Sequence, residues 1–175
     1  METLTKTKWA IDPTHSEVGF KVKHMMISTV RGNFNNFEAD VYAEKEDFSD
    51  AQVTVKISTA SISTNNEDRD NHLKSDDFFN AAEYPYITFK STDYSNGTLK
   101  GELSIRDVTK EVELDVDFHG AAVDPYGQHK AGFEISGEIN RKDFGLQWSA
   151  ITEAGNVVVS DKVKLVIDAQ FVKQA

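Results

Sequence analysis

The chain has 175 residues, enough for one domain with a real core, and its 39% hydrophobic and 27% charged content belongs to a globular rather than a disordered protein. The formal net charge of −10 disfavours nucleic acid and anionic lipid surfaces as partners unless a local basic patch overrides the field. There is no cysteine, which excludes disulfides, thiolate metal sites and cysteine nucleophiles.

The opening "METLTKTKWAIDP" has no apolar h-region, so no secretory signal is expected and the default location is cytoplasmic, or periplasmic if a leader has been trimmed. No run approaches the roughly 18 apolar residues of a membrane span. From there, period-2 alternation dominates. "EVGFKVK" sets Val18, Phe20 and Val22 against Glu17, Lys21 and Lys23. "AQVTVKIS" repeats the pattern with Val53, Val55 and Ile57. Thr64 and Glu67 then have the spacing of a capping box, and Asp68 and Asp70 suit the positive end of a helix dipole, so one short helix is expected here. "YPYITFKS" offers Ile87 and Phe89, and "SNG" at residues 95–97 suits a tight hairpin into "GTLKGELSIRD". "KEVELDVDFHG" is the cleanest strand, with Val112, Leu114, Val116 and Phe118 against Glu113, Asp115 and Asp117. "DPYG" at residues 124–127 fits a type I turn. "AGFEISGEINR" and "DKVKLVIDAQFV" close the chain.

One apolar and one polar face per segment means antiparallel strands with one solvated side. No repeat, linker or composition break divides residues 1–175, so a single domain of about eight strands is expected. Such a sheet can close into a barrel or split into a sandwich. Strands of about ten residues are long for a sandwich and favour an all-β, eight-stranded antiparallel barrel able to hold one small ligand.

The charge-dense stretch at residues 66–84, "NEDRDNHLKSDDFFNAAEY", interrupts this pattern. Leu73 is its one strong apolar residue within the helix, with Arg69 and His72 on the same side, so it is no core helix. Phe78 and Phe79 follow it, with Tyr84 and Tyr86 beyond. A polar helix tethered by aromatics suits a cap across a barrel mouth. The same residues would also serve if they merely close the barrel end and bind nothing.

Three blocks carry a resemblance. They are Asp12-Pro13-x-His15-Ser16, Arg69-Asp70-x-His72-Leu73 with Phe78-Phe79, and Arg141-x-Asp143-Phe144-Gly145-Leu146-x-Trp148. In this order, and over about residues 9–171, the sequence resembles the YceI-like family of polyisoprenoid-binding, lipocalin-like proteins. The resemblance implies an extended eight-stranded lipocalin-like barrel with a small helix over one end. It also implies an apolar tunnel, a long-chain isoprenoid or similar amphiphile as ligand, and a possible homodimer. No cofactor is expected beyond a bound isoprenoid lipid or quinone.

On that reading the tunnel would be lined by Phe20, Val22, Phe34, Val55, Ile57, Phe78, Phe79, Phe89, Leu103, Leu114, Val116, Phe133, Ile135 and Trp148. Gly19, Gly101, Gly132 and Gly137 interrupt the strands and would leave room inside. A polar head would need local partners. Lys23, His24, Arg31, Arg69, His72 and Arg141 are the candidates, because Arg and Lys pair with phosphate and a histidine can donate to a carbonyl. Arg69 could equally form a structural ion pair with Asp70, Asp76 or Asp143.

Other chemistry is weakly signalled. The five histidines, His15, His24, His72, His119 and His129, form no H-x-H or H-E-x-x-H pattern, so no metal site is expected, although His119 and His129 flank a turn and could approach each other. His15-Ser16 lacks a nucleophile elbow, and His15 is expected to satisfy buried backbone groups with Asp12 as a partner. Trp9 and Trp148 read first as barrel-end packing. The leading expectation is a non-catalytic binding module that carries or sequesters an amphiphile. The alternatives are a low-turnover enzyme using His15, His72 and a nearby carboxylate on a lipid-like substrate, and a stress-associated structural or interaction protein with a dry core.

Overall fold

The computed structural model describes residues 6–25, 27–45, 47–146 and 159–174. The alternating stretches form strands β1 (Thr7–Ile11), β2 (Glu17–His24), β3 (Ser28–Phe34), β4 (Phe37–Ala43), β5 (Gln52–Ser58) and β6 (Ile62–Ser63). Beyond helix α1 (Glu67–Lys74) come β7 (Tyr86–Ser95), β8 (Thr98–Ile105), β9 (Val108–Val123), β10 (His129–Asn140) and β11 (Val159–Lys173). Their antiparallel order is β1-β4-β5-β7-β8-β9-β10-β11, and β1 pairs again with β11, so the sheet closes on itself. This is the expected eight-stranded barrel, with no free edge around the closed ring.

Eleven segments make eight staves because three staves are broken. A 3₁₀ turn at Pro13–His15 separates β1 from β2, Asn35 and Asn36 separate β3 from β4, and a 3₁₀ turn at Thr59–Ser61 separates β5 from β6. The breaks lie side by side, as Asn35 N donates to Ser61 O (3.1 Å) and Ser58 N to Asn36 O (2.9 Å). Above them β2 and β3 continue as a hairpin that pairs with β11 on one side and, through β3, with the two residues of β6 on the other.

The turn chemistry follows the sequence. Asn96 (φ 52°) and Gly97 (φ 75°) are both left-handed between β7 and β8, as a two-residue hairpin turn requires. At the β9–β10 turn Gly127 N donates to Asp124 O at 3.1 Å. The helix starts differently from the capping-box expectation. Asn66 is the N-cap, its Oδ1 accepting from Arg69 N at 3.0 Å. The Thr64 hydroxyl donates instead to Asp70 Oδ1 at 2.6 Å. Asn and Asp cap as well as Ser or Thr, so the spacing alone could not choose between neighbours.

His15 also departs from expectation. It is exposed, and its Nδ1 lies 2.8 Å from Asp12 Oδ2, so Asp12 is its partner but no buried backbone is involved. Lys130 Nζ reaches the same carboxylate at 3.0 Å and ties the β10 strand to the β1–β2 break. Burial pushes the Asp12 carboxyl up, but hydrogen bonds from Thr14, His15 and Lys130 outweigh it and hold the group well below the usual carboxylate range.

Candidate functional site

The inward faces enclose one large apolar cavity of about 190 Å³. Its wall takes Phe20 and Val22 from β2, Phe34 from β3, Val55 and Ile57 from β5, Phe89 from β7, Leu103 from β8, Leu114 from β9 and Ile135 from β10. These are where the alternation put them. Three glycines explain how large residues fit without filling the lumen. A Cβ at Gly32 would lie 2.3 Å from the Phe20 ring, one at Gly101 2.4 Å from Phe89 and one at Gly137 2.5 Å from Leu114. The glycines therefore do not open space directly. They let a neighbouring side chain lie flat along the wall.

Val116 and Phe133 face inward but are not on the wall. They belong to a second packed layer with Phe48, Phe118, Trp9 and Phe171. Phe48, from the β4–β5 loop, is 2% exposed, and its ring centroid lies 5.1 Å from Trp9, 5.3 Å from Phe118 and 5.1 Å from Phe133, edge to face in each case. Phe118 and Phe133 stack at 5.0 Å. Ala39, Ala169 and Phe171 belong to this layer and also touch the cavity, so the layer is its floor. The space is a blind pocket rather than a through-tunnel. Trp9 packs at that end, as expected, while Trp148 lies outside the described residues.

At the other end the α1 segment and the start of the β10–β11 connection contribute to the wall. Leu73, Phe78 and Phe79 reach the wall while α1 buries none of its residues, which matches a polar cap tethered by aromatics. Arg106, in the β8–β9 turn, ties the segment down. Its Nη1 donates to Asp76 O (3.0 Å) and Phe78 O (3.2 Å), and its Nη2 to Asp76 Oδ1 (3.0 Å). Neither Arg106 nor Phe48 is among the residues expected from the sequence.

Of the head-group candidates, only Arg141 touches the cavity, and it is the one charged residue on the wall among the described residues. It is 3% exposed. Its Nε donates to Ser160 O (3.0 Å), Nη1 to Leu146 O (2.7 Å) and Nη2 to Val159 O (3.4 Å). Burial pulls the guanidinium pKa down and Asp161, 3.9 Å away, opposes that. Arg141 thus fastens the two ends of the β10–β11 connection. Arg69 donates to Thr64 Oγ1 (2.7 Å) and Thr64 O (2.6 Å) and has no ion pair with Asp70, Asp76 or Asp143. His72 Nε2 is 2.8 Å from Asp77 Oδ2, its ring edge-on to Phe78. His24 sits in the β2–β3 hairpin, paired with Val159 in register, and is not on the wall.

A sequence profile of the YceI-like domain matches residues 9–171. The chain belongs to the YceI-like family. A UPF0312 protein of Staphylococcus epidermidis is 37% identical over 166 residues, covering 94% of this chain and 97% of that protein. The crystal structure of a YceI protein from Campylobacter jejuni superposes with a TM-score of 0.75 at 36% identity, over 94% of this chain and 96% of that one. A polyisoprenoid binding domain from Saccharophagus degradans shares the fold, with a TM-score of 0.72 at 14% identity over 95% and 98% of the two chains.

Within this YceI-like barrel the polar side chains outside the cavity form separate networks. The two histidines of the enzyme reading are apart in bonding terms, His15 with Asp12 and Thr14, His72 with Asp77. His119 does not meet His129. It lies at the β-bulge opposite Gly132 and Phe133 and pairs with Glu134 (Nε2 to Oε2, 3.2 Å). Asp117 joins them, so three exposed side chains place ligand-type atoms within 4.8 Å of one another, a carboxylate arrangement the sequence did not suggest.

Proposed function

We propose that the protein binds one long-chain amphiphile, an isoprenoid lipid, quinone or fatty-acid-like molecule, and carries or sequesters it without chemical turnover. The observation that carries this reading is a cavity apolar at every described wall position except Arg141, whose guanidinium already donates to backbone carbonyls. Such a wall holds a chain by removing it from water, at about 0.8 kcal/mol per CH₂, so ten buried carbons contribute on the order of 8 kcal/mol before ordering costs. Among the described residues it offers no paired acid and base on the wall. Family membership and the fold shared with a polyisoprenoid binding domain of S. degradans accord with an isoprenoid-type tail.

The cavity of about 190 Å³ is little larger than an engineered void of about 150 Å³ that admits benzene. A long chain therefore enters only as one end gives way, and the end held by Arg106 hydrogen bonds is the one that yields. Native mass spectrometry of freshly purified protein, followed by organic extraction, tests the reading. A long-chain species near one per chain is expected. A mass without ligand that stays so after incubation with isoprenoid quinones and fatty amides would overturn it. Replacing Phe89 and Leu114 together by aspartate removes the bound species if the cavity is the site, and unchanged loading in a folded double variant would refute that location.

A further inference from the structure

The chain is acidic as a whole, yet cations run side by side across one part of its outer surface. Lys21 on β2 stands opposite Arg31 on β3 and opposite Lys164 on β11, so three cations form a row across three adjacent strands. Like charges directly opposite one another destabilise a sheet. No ion pair relieves them among the described residues. Glu138, opposite Lys164 in register, pairs with Lys162 (3.7 Å), and Asp161 pairs with Lys142 (3.3 Å) and Arg141 (3.9 Å). Lys23, two residues further along β2, faces the same way, and its Nζ donates to Thr29 Oγ1 (3.1 Å). At the tip of this hairpin Ile27 is 80% exposed. The hairpin's other face is cavity wall, through Val22, and Val159 beside it is wall as well. Cations, an exposed apolar tip and the upper wall of the cavity thus share one element.

We propose that the β2–β3 hairpin docks the barrel, upper end first, onto an anionic phospholipid bilayer. The cations meet the head groups and Ile27 enters the interface. At physiological ionic strength the Debye length is about 8 Å, so the net charge of −10 is screened and the local row decides the contact. A nucleic acid would satisfy the cations but gives Ile27 nothing to do. The docking stands apart from the carrier reading, which supplies its purpose, because a bilayer is where a long-chain amphiphile is taken up or released.

The full chain is co-sedimented with vesicles of phosphatidylglycerol and phosphatidylcholine and with vesicles of phosphatidylcholine alone. Binding to the anionic vesicles that weakens with salt is expected. Neutralising Lys21, Arg31 and Lys164 to glutamine should weaken it about fivefold for each cation and about a hundredfold together. Ile27→Asp should weaken it with the cations intact, and each variant's thermal melt is checked against the parent. Absence of binding, a triple variant that binds as well as the parent, or equal binding to neutral vesicles overturns the proposal. So does salt-sensitive binding to duplex DNA with vesicle binding indifferent to Ile27→Asp, which would make the row a general polyanion site. Any bound chain is read separately by native mass spectrometry, so failure of the carrier reading shows there and not in the sedimentation.

Discussion

Phe48→Ala tests whether the cavity ends where the aromatic layer places its floor. The ring is 2% exposed and meets Trp9, Phe118 and Phe133 edge to face at 5.1–5.3 Å. Removing a buried phenylalanine of this kind costs about 3–5 kcal/mol, part of it the aromatic geometry beyond area alone. Phe48 has φ 60°, which strains alanine as it strains phenylalanine, so the backbone contributes little to the difference. For a chain of this size each kcal/mol moves the melting temperature by about 2–4 °C, giving a fall of roughly 6–20 °C. Urea unfolding should show a lower midpoint with an unchanged slope. The void left behind is apolar and lies directly below the cavity, so the variant should take up more xenon or benzene than the parent, the added binding lying at the floor. A stability loss under about 1 kcal/mol with no gain in small apolar binding would mean that Phe48 is not seated there and that the pocket is open at both ends.

Three further outcomes follow from other parts of the barrel. Gly101→Ala forces a Cβ to within 2.4 Å of the Phe89 ring and 2.5 Å of the Lys90 carbonyl, so it should cost about 1–3 kcal/mol in chemical denaturation, and a neutral result would show that Phe89 can leave the wall freely. Arg106→Gln removes the charged donor to Asp76 and Phe78, and a stopped-flow fluorescent-chain assay should show uptake at least about tenfold faster, given roughly 1.5–3 kcal/mol for hydrogen bonds to a charged group; unchanged uptake would place the entrance elsewhere. The depressed Asp12 carboxyl gives acid sensitivity. Its unfolded value is near 3.9, so its stabilisation is complete above that pH and is lost as pH falls from there toward the lower folded value. Asp12→Asn should therefore flatten the acid limb below about pH 4, and parallel stability losses in parent and variant between pH 4 and 2 would contradict the assignment.

The barrel was legible because alternation is a backbone property. In β9 the phase of Val112, Leu114, Val116 and Phe118 reports which way each side chain points, and the structure agrees at every one. Phase reports face and not height, which is why Val116 and Phe133 were placed on the cavity wall when they belong to its floor. Phe48 stands alone in the acidic connection "EKEDFSD", and only the closing of the ring brings that loop under the barrel. Its signal was there in principle, as an isolated aromatic among charges has nothing local to pack on. Arg141 and Arg69 look like free cations in sequence. Their partners are largely backbone carbonyls, which carry no sequence signature.

The two ends of the cavity are built from different interactions, and this asymmetry gives the barrel a direction. The floor is aromatic rings packed edge to face on strands that hydrogen-bond around a closed ring, so opening it means losing buried area and ladder bonds together. The upper end is covered in part by a helix with no buried residue, held through Arg106 and through the aromatic contact of Phe79 with Phe34 at 5.9 Å. Local opening draws on the segments with the fewest buried contacts and the most exposed hydrogen bonds. A chain that is excluded at one end and admitted at the other leaves with its last-entering group foremost, by the route it came in. The hairpin that carries Lys21 and Arg31 supplies part of the wall at that same upper end. A mouth that must open to exchange an apolar chain is safest when it opens against an apolar phase, and a docking face beside the mouth meets that requirement without exposing the chain to water.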